Sequence, residues 1–171
     1  SIPTAVIGLS LRNVFESLNA ATPVSFALVT TGVILWTAPA RGARSDAMQL
    51  GWRDALLAGT AQGLAVIPGI SRSGTTIAAL LWRDVDAALA ARLSFLLYLV
   101  ASAGVAVLGI TEVREANLGL AAVAWMTLAS FVTGWVALIW LFRILRRGRF
   151  RWFAPYLWVA ASLTLLRGVL T

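Results

Sequence analysis

Long uncharged intervals dominate the hydrophobic pattern of this chain of 171 residues. A membrane-spanning helix needs about 20 mostly apolar residues, and four intervals predict ordinary spans: residues 17–40, 93–110, 116–142 and 152–166. The pattern therefore predicts an all-α, polytopic integral membrane protein in which residues 1–171 form a single membrane domain.

A fifth interval differs because one charge and two helix breakers interrupt it. Seventeen uncharged residues precede Arg72 and ten follow it, while Pro68 and Gly69 break the helical backbone ladder just before it. Two half-length helices joined by a polar turn fit this pattern, so we predict a re-entrant helical hairpin over residues 54–82. Irregular backbone is tolerated at membrane depth only where protein or a polar cavity covers it.

The chain opens on residues 2–11, which are apolar but too few to span a bilayer. It has no initiating methionine. This abrupt opening predicts an N-terminally truncated chain that starts within a helix.

The distribution of arginine predicts an orientation in the membrane. Five arginines lie between the last two predicted spans, which marks that loop as cytoplasmic by the positive-inside rule: Arg143, Arg146, Arg147, Arg149 and Arg151. Counting back along the spans, Arg41, Arg44 and Arg53 also lie inside only if the hairpin enters and leaves on one side. The charges therefore support the hairpin independently and predict a multi-pass protein of the cytoplasmic membrane.

Composition excludes several other classes of protein. Hydrophobic residues make up 60% of the chain and charged residues 12%, with a mean hydropathy of +0.85, and a soluble domain could not cover so much apolar surface. The absence of Cys and His excludes disulfides, thiolate or imidazole metal ligands and a histidine base. The net charge of +7 comes from arginines between apolar runs, which disfavours nucleic acid as a partner.

Arg72 is the most informative residue, because an arginine near the bilayer centre costs roughly 2.5 to 3.5 kcal/mol. A guanidinium beside a glycine-containing turn, hydroxyl groups and the start of a helix is an anion site suited to phosphate. The alternative is an interfacial turn whose arginine reaches lipid headgroups. That alternative requires flanks that span separately, and the ten residues after Arg72 are too few.

The residues around Arg72 resemble the second signature of the undecaprenyl-diphosphate phosphatase family, integral membrane enzymes associated with bacitracin resistance. The matching run is Pro68-Gly69-x-Ser71-Arg72-Ser73-Gly74-x-Thr76, with Gly59-Thr60-Ala61-Gln62-Gly63 before it and Ser94-Phe95-Leu96-Leu97 after it. The resemblance is to the C-terminal part of the family and covers the chain from about Ile2 onwards.

The resemblance implies hydrolysis of undecaprenyl diphosphate to undecaprenyl phosphate and inorganic phosphate in the bacterial cytoplasmic membrane, which recycles the carrier lipid for cell-wall synthesis. The implied fold is an inverted repeat with two re-entrant hairpins. The implied catalytic residues are Arg72, which clamps the diphosphate, and Ser71, Ser73 and Thr76, which bind its oxygens or position a nucleophile. The implied substrate-binding residues are Gly69, Gly74, Thr75 and Gln62.

Two interpretations of Gln62 stay open: it bonds phosphate or a metal-bound water, or it bridges two helices as a buried amide. The glycines would let the backbone approach the phosphate closely.

The family's first signature, an acidic E-G-x-x-E stretch followed by serines and a histidine, is absent from these residues. We therefore expect this chain to be inactive alone, and the divalent cation that the resemblance implies, Mg²⁺ or Ca²⁺, to find no ligands here. The expected partners are a polyprenyl diphosphate lipid and membrane lipids, and a second copy of the chain stays open. Two alternatives remain: a transporter or flippase for an anionic or phosphorylated lipid, and a non-enzymatic anion-binding module.

Overall fold

The computed structural model describes residues 21–115 and 119–170, and the predicted apolar segment 2–11 lies outside them. The described chain is all-α, as the hydrophobic pattern predicts. Its helices are α1 (Ala21–Thr37), α2 (Trp52–Leu64), α3 (Arg72–Trp82), α4 (Ala87–Glu115), α5 (Leu120–Arg146) and α6 (Phe153–Leu170), with 3₁₀ turns at Ala47–Gln49 and Phe150–Trp152.

Two helices of the described chain are long and apolar enough to cross a membrane. Their apolar segments are Ala87–Gly104 in α4 and Ala121–Arg146 in α5. The other two predicted spans form α1 and α6, with 17 and 18 described residues. At 1.5 Å per residue these helices measure about 26 and 27 Å, slightly less than a hydrocarbon core of about 30 Å.

The interval around Arg72 is divided into α2 and α3, because a turn over residues 65–71 separates them. Gly69 lies in this turn with a φ of +94°, a backbone conformation that glycine adopts without steric cost. At 13 and 11 residues, the two helices are about 20 and 17 Å long. Neither could cross a bilayer alone.

A buried carboxylate closes the open end of this helix pair. Asp54, on the first turn of α2, is 3% exposed. Its oxygens accept hydrogen bonds from both terminal nitrogens of Arg44, at 3.0 and 3.1 Å, and from Nε of Arg83, at 2.9 Å. Because Arg83 directly follows α3, the contact places the start of α2 beside the end of α3, and the two helices are antiparallel.

Asp54 lies outside the two candidate spans, and hydrogen bonds stabilise its negative charge. The hydrogen bond from Arg44 lowers the pKa of Asp54 most, followed by those from Arg83 and from the Gly51 backbone N–H. The carboxylate therefore stays ionised at neutral pH and holds the helix pair together at its base.

Helix α3 is the centre of the packed core. Ile77, Leu80 and Leu81 on this helix are fully buried. The surrounding apolar side chains come from α1, α4, the end of α5 and the turn that precedes α6, and include Leu35, Ala90, Ala91, Leu145 and Phe150. This packing fixes the direction of α3 and therefore the place where its first residue, Arg72, projects.

Candidate anion-binding site

A pocket of about 190 Å³ lies where the beginning of α3 meets α2 and α4. Its lining is Gln62 from α2, Arg72, Ser73 and Thr76 from α3, and Ser94, Phe95 and Tyr98 from α4. Four of the eight residues that the sequence singled out thus meet in one place: Gln62, Arg72, Ser73 and Thr76. They are joined by residues from a helix that begins more than ten residues later.

Arg72 is the positive charge of this pocket. It is the first residue of α3 and its side chain is exposed at the surface of the described chain. Within residues 21–115 and 119–170 its guanidinium has no carboxylate or hydrogen-bond partner. A guanidinium offers five donors in a planar fork, so all five remain available to an anion.

The backbone at the start of α3 adds two more donors. Ser71 caps the helix: its Oγ accepts a hydrogen bond from the Gly74 N–H at 3.1 Å, and its carbonyl accepts one from the Thr75 N–H at 2.9 Å. The N–H groups of Arg72 and Ser73 have no partner in the described chain. A helix N-terminus with free N–H groups attracts anions, and here it lies next to an unpaired guanidinium.

Hydroxyl groups line the rest of the pocket. Thr76 is buried, and its Oγ1 donates to the Arg72 carbonyl at 2.8 Å, which leaves its lone pairs as acceptors. Ser94 is 4% exposed, and its hydroxyl makes no hydrogen bond within the part of the chain described. The Tyr98 side chain projects from the same face of α4 one turn later, because residues four apart are neighbours on a helix.

Gln62 shows features of both interpretations given above. Its side chain is 3% exposed, and its Nε2 donates to the Leu97 carbonyl of α4 at 3.3 Å, so the amide does bridge two helices. Its Oε1 is buried and has no hydrogen-bond partner among the residues that the structure describes. The same side chain also lines the anion pocket.

The other four predicted residues lie outside this pocket. Ser71 and Gly74 line a second cavity of about 170 Å³ on another side of α3, which is otherwise mostly apolar and shares Ser73 with the first. Thr75 lines neither cavity, and its buried hydroxyl has no partner within the described ranges. Gly69 faces α1, where a Cβ would lie 2.6 Å from the Val24 carbonyl oxygen. Gly69 therefore packs against α1 and does not line the anion pocket.

Thr31, which the sequence pattern did not single out, attaches the turn to α1. Thr31 is fully buried. Its Oγ1 accepts a hydrogen bond from the Ser71 N–H at 3.3 Å and lies 3.2 Å from the Gly69 carbonyl and 3.0 Å from the Ala27 carbonyl, to which it donates. No periodicity in α1 marks this threonine, because the contact joins residues about 40 positions apart.

Replacing Thr31 by Val should weaken the turn that carries Arg72. Valine keeps the shape but leaves the partly buried Ser71 N–H without its acceptor, which costs about 1–3 kcal/mol. We expect a lower melting temperature of the purified full-length protein and a several-fold rise in KM, both largely restored by Thr31→Ser. Thr30→Val is the matched control, since the Thr30 hydroxyl bonds only to its own helix at an exposed position. Equal effects of the two valine variants would show that the Thr31 contacts do not hold the turn.

The described lining of the pocket does not fit a divalent cation. Among the residues described, it contains an amide, hydroxyls and a guanidinium but no carboxylate, and hard cations require several oxygen ligands that usually include carboxylates. Within the described residues no group of three or more acidic, Cys or His side chains could hold a metal ion. The described chemistry is therefore that of an anion site.

Comparison with known proteins agrees with this chemistry. The model of the family described as "Bacitracin resistance protein BacA" matches residues 1–163. Curated relatives named undecaprenyl-diphosphatase are 59% identical over 167 residues in Acaryochloris marina, 43% over 171 in Desulforapulum autotrophicum and 35% over 175 in Alkaliphilus metalliredigens. The alignments cover 98%, 98% and 99% of this chain but 63%, 62% and 64% of the respective relatives. The chain thus spans a little under two thirds of their length.

Proposed function

The chain belongs to the family of the bacitracin resistance protein BacA, and from this premise we propose that it forms the diphosphate-binding part of an undecaprenyl-diphosphate phosphatase. The substrate is undecaprenyl diphosphate, and the products are undecaprenyl phosphate and inorganic phosphate. The observation that carries the proposal is the guanidinium of Arg72, which is unpaired within the described residues and lies in a hydroxyl-lined pocket at a helix N-terminus whose first N–H groups have no described partner. The relatives' shared name supports the same activity.

The pocket acts on the diphosphate by holding its charge. Arg72 binds phosphoryl oxygens with two parallel hydrogen bonds, a geometry that suits a planar guanidinium. The backbone N–H groups of Arg72 and Ser73 and the hydroxyls of Ser73 and Ser94 donate to the remaining oxygens. Because phosphoryl transfer depends largely on positioning and on stabilising charge, donors fixed in place before the reaction lower its barrier.

The proposal includes the re-entrant position of the hairpin in a multi-pass protein of the cytoplasmic membrane. The ion-pair cluster of Asp54, Arg44 and Arg83 would lie at the cytoplasmic surface, among the arginines of the loops. Helix α3 then carries Arg72 about 17 Å inward, close to the middle of a core about 30 Å thick. At that depth the turn packs against α1, where Thr31 Oγ1 accepts a hydrogen bond from the Ser71 N–H, as irregular backbone within a membrane requires.

Hydrolysis is favoured over transport, because the relatives are named as diphosphatases. A broken helix that holds an anion is also found in transporters, so the hairpin alone would not separate the two functions. The described lining of the pocket contains no acidic side chain to accept a proton. We propose that the acid and base groups, and any cation, belong to residues other than those of this described lining.

The test is turnover of undecaprenyl diphosphate in detergent by the purified full-length protein and by residues 1–171 alone. We expect the full-length protein to release inorganic phosphate with undecaprenyl phosphate as the lipid product, and residues 1–171 to release none. Movement of the lipid between leaflets of a vesicle without phosphate release would support the transporter instead. Turnover by residues 1–171 would contradict the division of the site proposed here.

A further inference from the structure

The amide of Gln62 has a fixed orientation. The group that faces the Leu97 carbonyl, 3.3 Å away, must be the NH₂, because a carbonyl oxygen only accepts hydrogen bonds. The opposite orientation would place two acceptors against each other. The Oε1 atom is therefore the end that remains without a partner, within the residues described, on a side chain that is 3% exposed and lines the anion pocket.

The Gln62 Oε1 atom is a hydrogen-bond acceptor, and an acceptor does not stabilise an anion bound in the same pocket. A buried acceptor without a hydrogen bond is unfavourable, and ionised phosphoryl oxygens only accept hydrogen bonds, so they could not satisfy Oε1. The occupant next to Gln62 must donate a hydrogen bond. Arg72 does not supply it, since no hydrogen bond joins the two side chains.

We propose that Gln62 is a positioning residue whose Oε1 holds a water molecule beside the bound phosphate, an inference that rests on the proposed function. The pocket's volume of about 190 Å³ far exceeds the roughly 10–15 Å³ that one water needs. A buried water also needs two to four polar partners. Gln62 Oε1 accepts one hydrogen of this water, and a phosphoryl oxygen accepts the other.

The proposal gives the bridge from Gln62 to Leu97 a function beyond packing. A hydrogen bond that fixes the NH₂ group also fixes the direction of Oε1, and with it the position of the water relative to Arg72. Such a water is ordered next to phosphorus before the reaction begins. Correct placement of a reacting molecule increases the reaction rate by a large factor, and a small displacement removes much of that increase.

Two substitutions in the full-length protein separate this function from phosphate binding. Gln62→Met keeps the length of the side chain but removes the acceptor, and we expect kcat to fall about ten- to a hundredfold with KM within about twofold. Gln62→Glu keeps an acceptor but adds a negative charge near Arg72. We expect it to raise KM several-fold, because it competes with the phosphate, while its kcat exceeds that of the Met variant.

The melting temperature of each variant shows how much stability is lost with the hydrogen bond to α4. A loss of stability alone would not lower kcat selectively in the Met variant and raise KM selectively in the Glu variant. A Met variant with raised KM and unchanged kcat would overturn the proposal, because Gln62 would then contact the phosphate or a protonated phosphoryl oxygen. Equal kcat values in the Met and Glu variants would overturn it as well. Both results leave the proposed function intact, since that function fails only if the unsubstituted full-length protein does not hydrolyse the lipid.

Discussion

Arg72→Lys in the full-length protein should lower kcat/KM for undecaprenyl diphosphate at least a hundredfold. Lysine keeps the positive charge but replaces the planar fork with a single ammonium group, which cannot make two parallel hydrogen bonds. Loss of one fixed donor to a developing negative charge costs about 10²–10³ in rate in other enzymes. Release of inorganic phosphate under steady-state conditions measures the effect.

Arg151→Lys is the control for this substitution. Arg151 is exposed in the loop before α6 and does not line the anion pocket, so we expect its variant to retain normal turnover. If Arg72→Lys also retained near-normal turnover, Arg72 would not clamp the diphosphate.

Gly69→Ala should cause the largest loss of stability among single substitutions in the turn. Its φ of +94° is unfavourable for alanine by about 1–2 kcal/mol. The added Cβ would also lie 2.6 Å from the Val24 carbonyl oxygen and 2.9 Å from the Ala27 Cβ, so the turn must move away from α1. We expect a total loss of about 2–4 kcal/mol in the free energy of unfolding, visible as a lower melting temperature, with loss of activity.

Gly134→Ala provides the matched comparison for Gly69. A Cβ at Gly134, within α5, would meet no atom within 4 Å, and alanine favours a helix over glycine. This variant should be as stable as the original protein or slightly more stable. Equal melting temperatures for the two alanine variants would show that the turn does not depend on the conformation of Gly69.

Local sequence signals predicted the parts of the site that lie on one segment. Pro68 and Gly69 indicated the break between α2 and α3, and the structure has the turn there. The convergence of Arg72, Ser73 and Thr76 follows largely from the helix period, because Thr76 lies four residues after Arg72 and three after Ser73, and residues three or four positions apart share a face. The same period, applied to Gly74 and Ile77, would also have placed Gly74 on the face that lines the second cavity.

Contacts between distant segments were beyond the reach of these signals. Thr31 meets Ser71 only because α1 packs against the turn, and nothing in the pattern of α1 distinguishes it from other apolar helices. Ser94 was part of the family resemblance, but Tyr98 was not. Their spacing of four on an apolar helix was the one available sign of a polar face. The partners of Asp54 likewise depend on how the loops fold back.

The most direct test of the central claim is a structure of the full-length protein with a non-hydrolysable analogue of a prenyl diphosphate. We predict phosphoryl oxygens within about 3 Å of the Arg72 guanidinium and of the Ser73 N–H, in the pocket that α2, α3 and α4 enclose. An analogue whose phosphates lie elsewhere, with Arg72 directed to lipid headgroups or bulk water, would contradict the account.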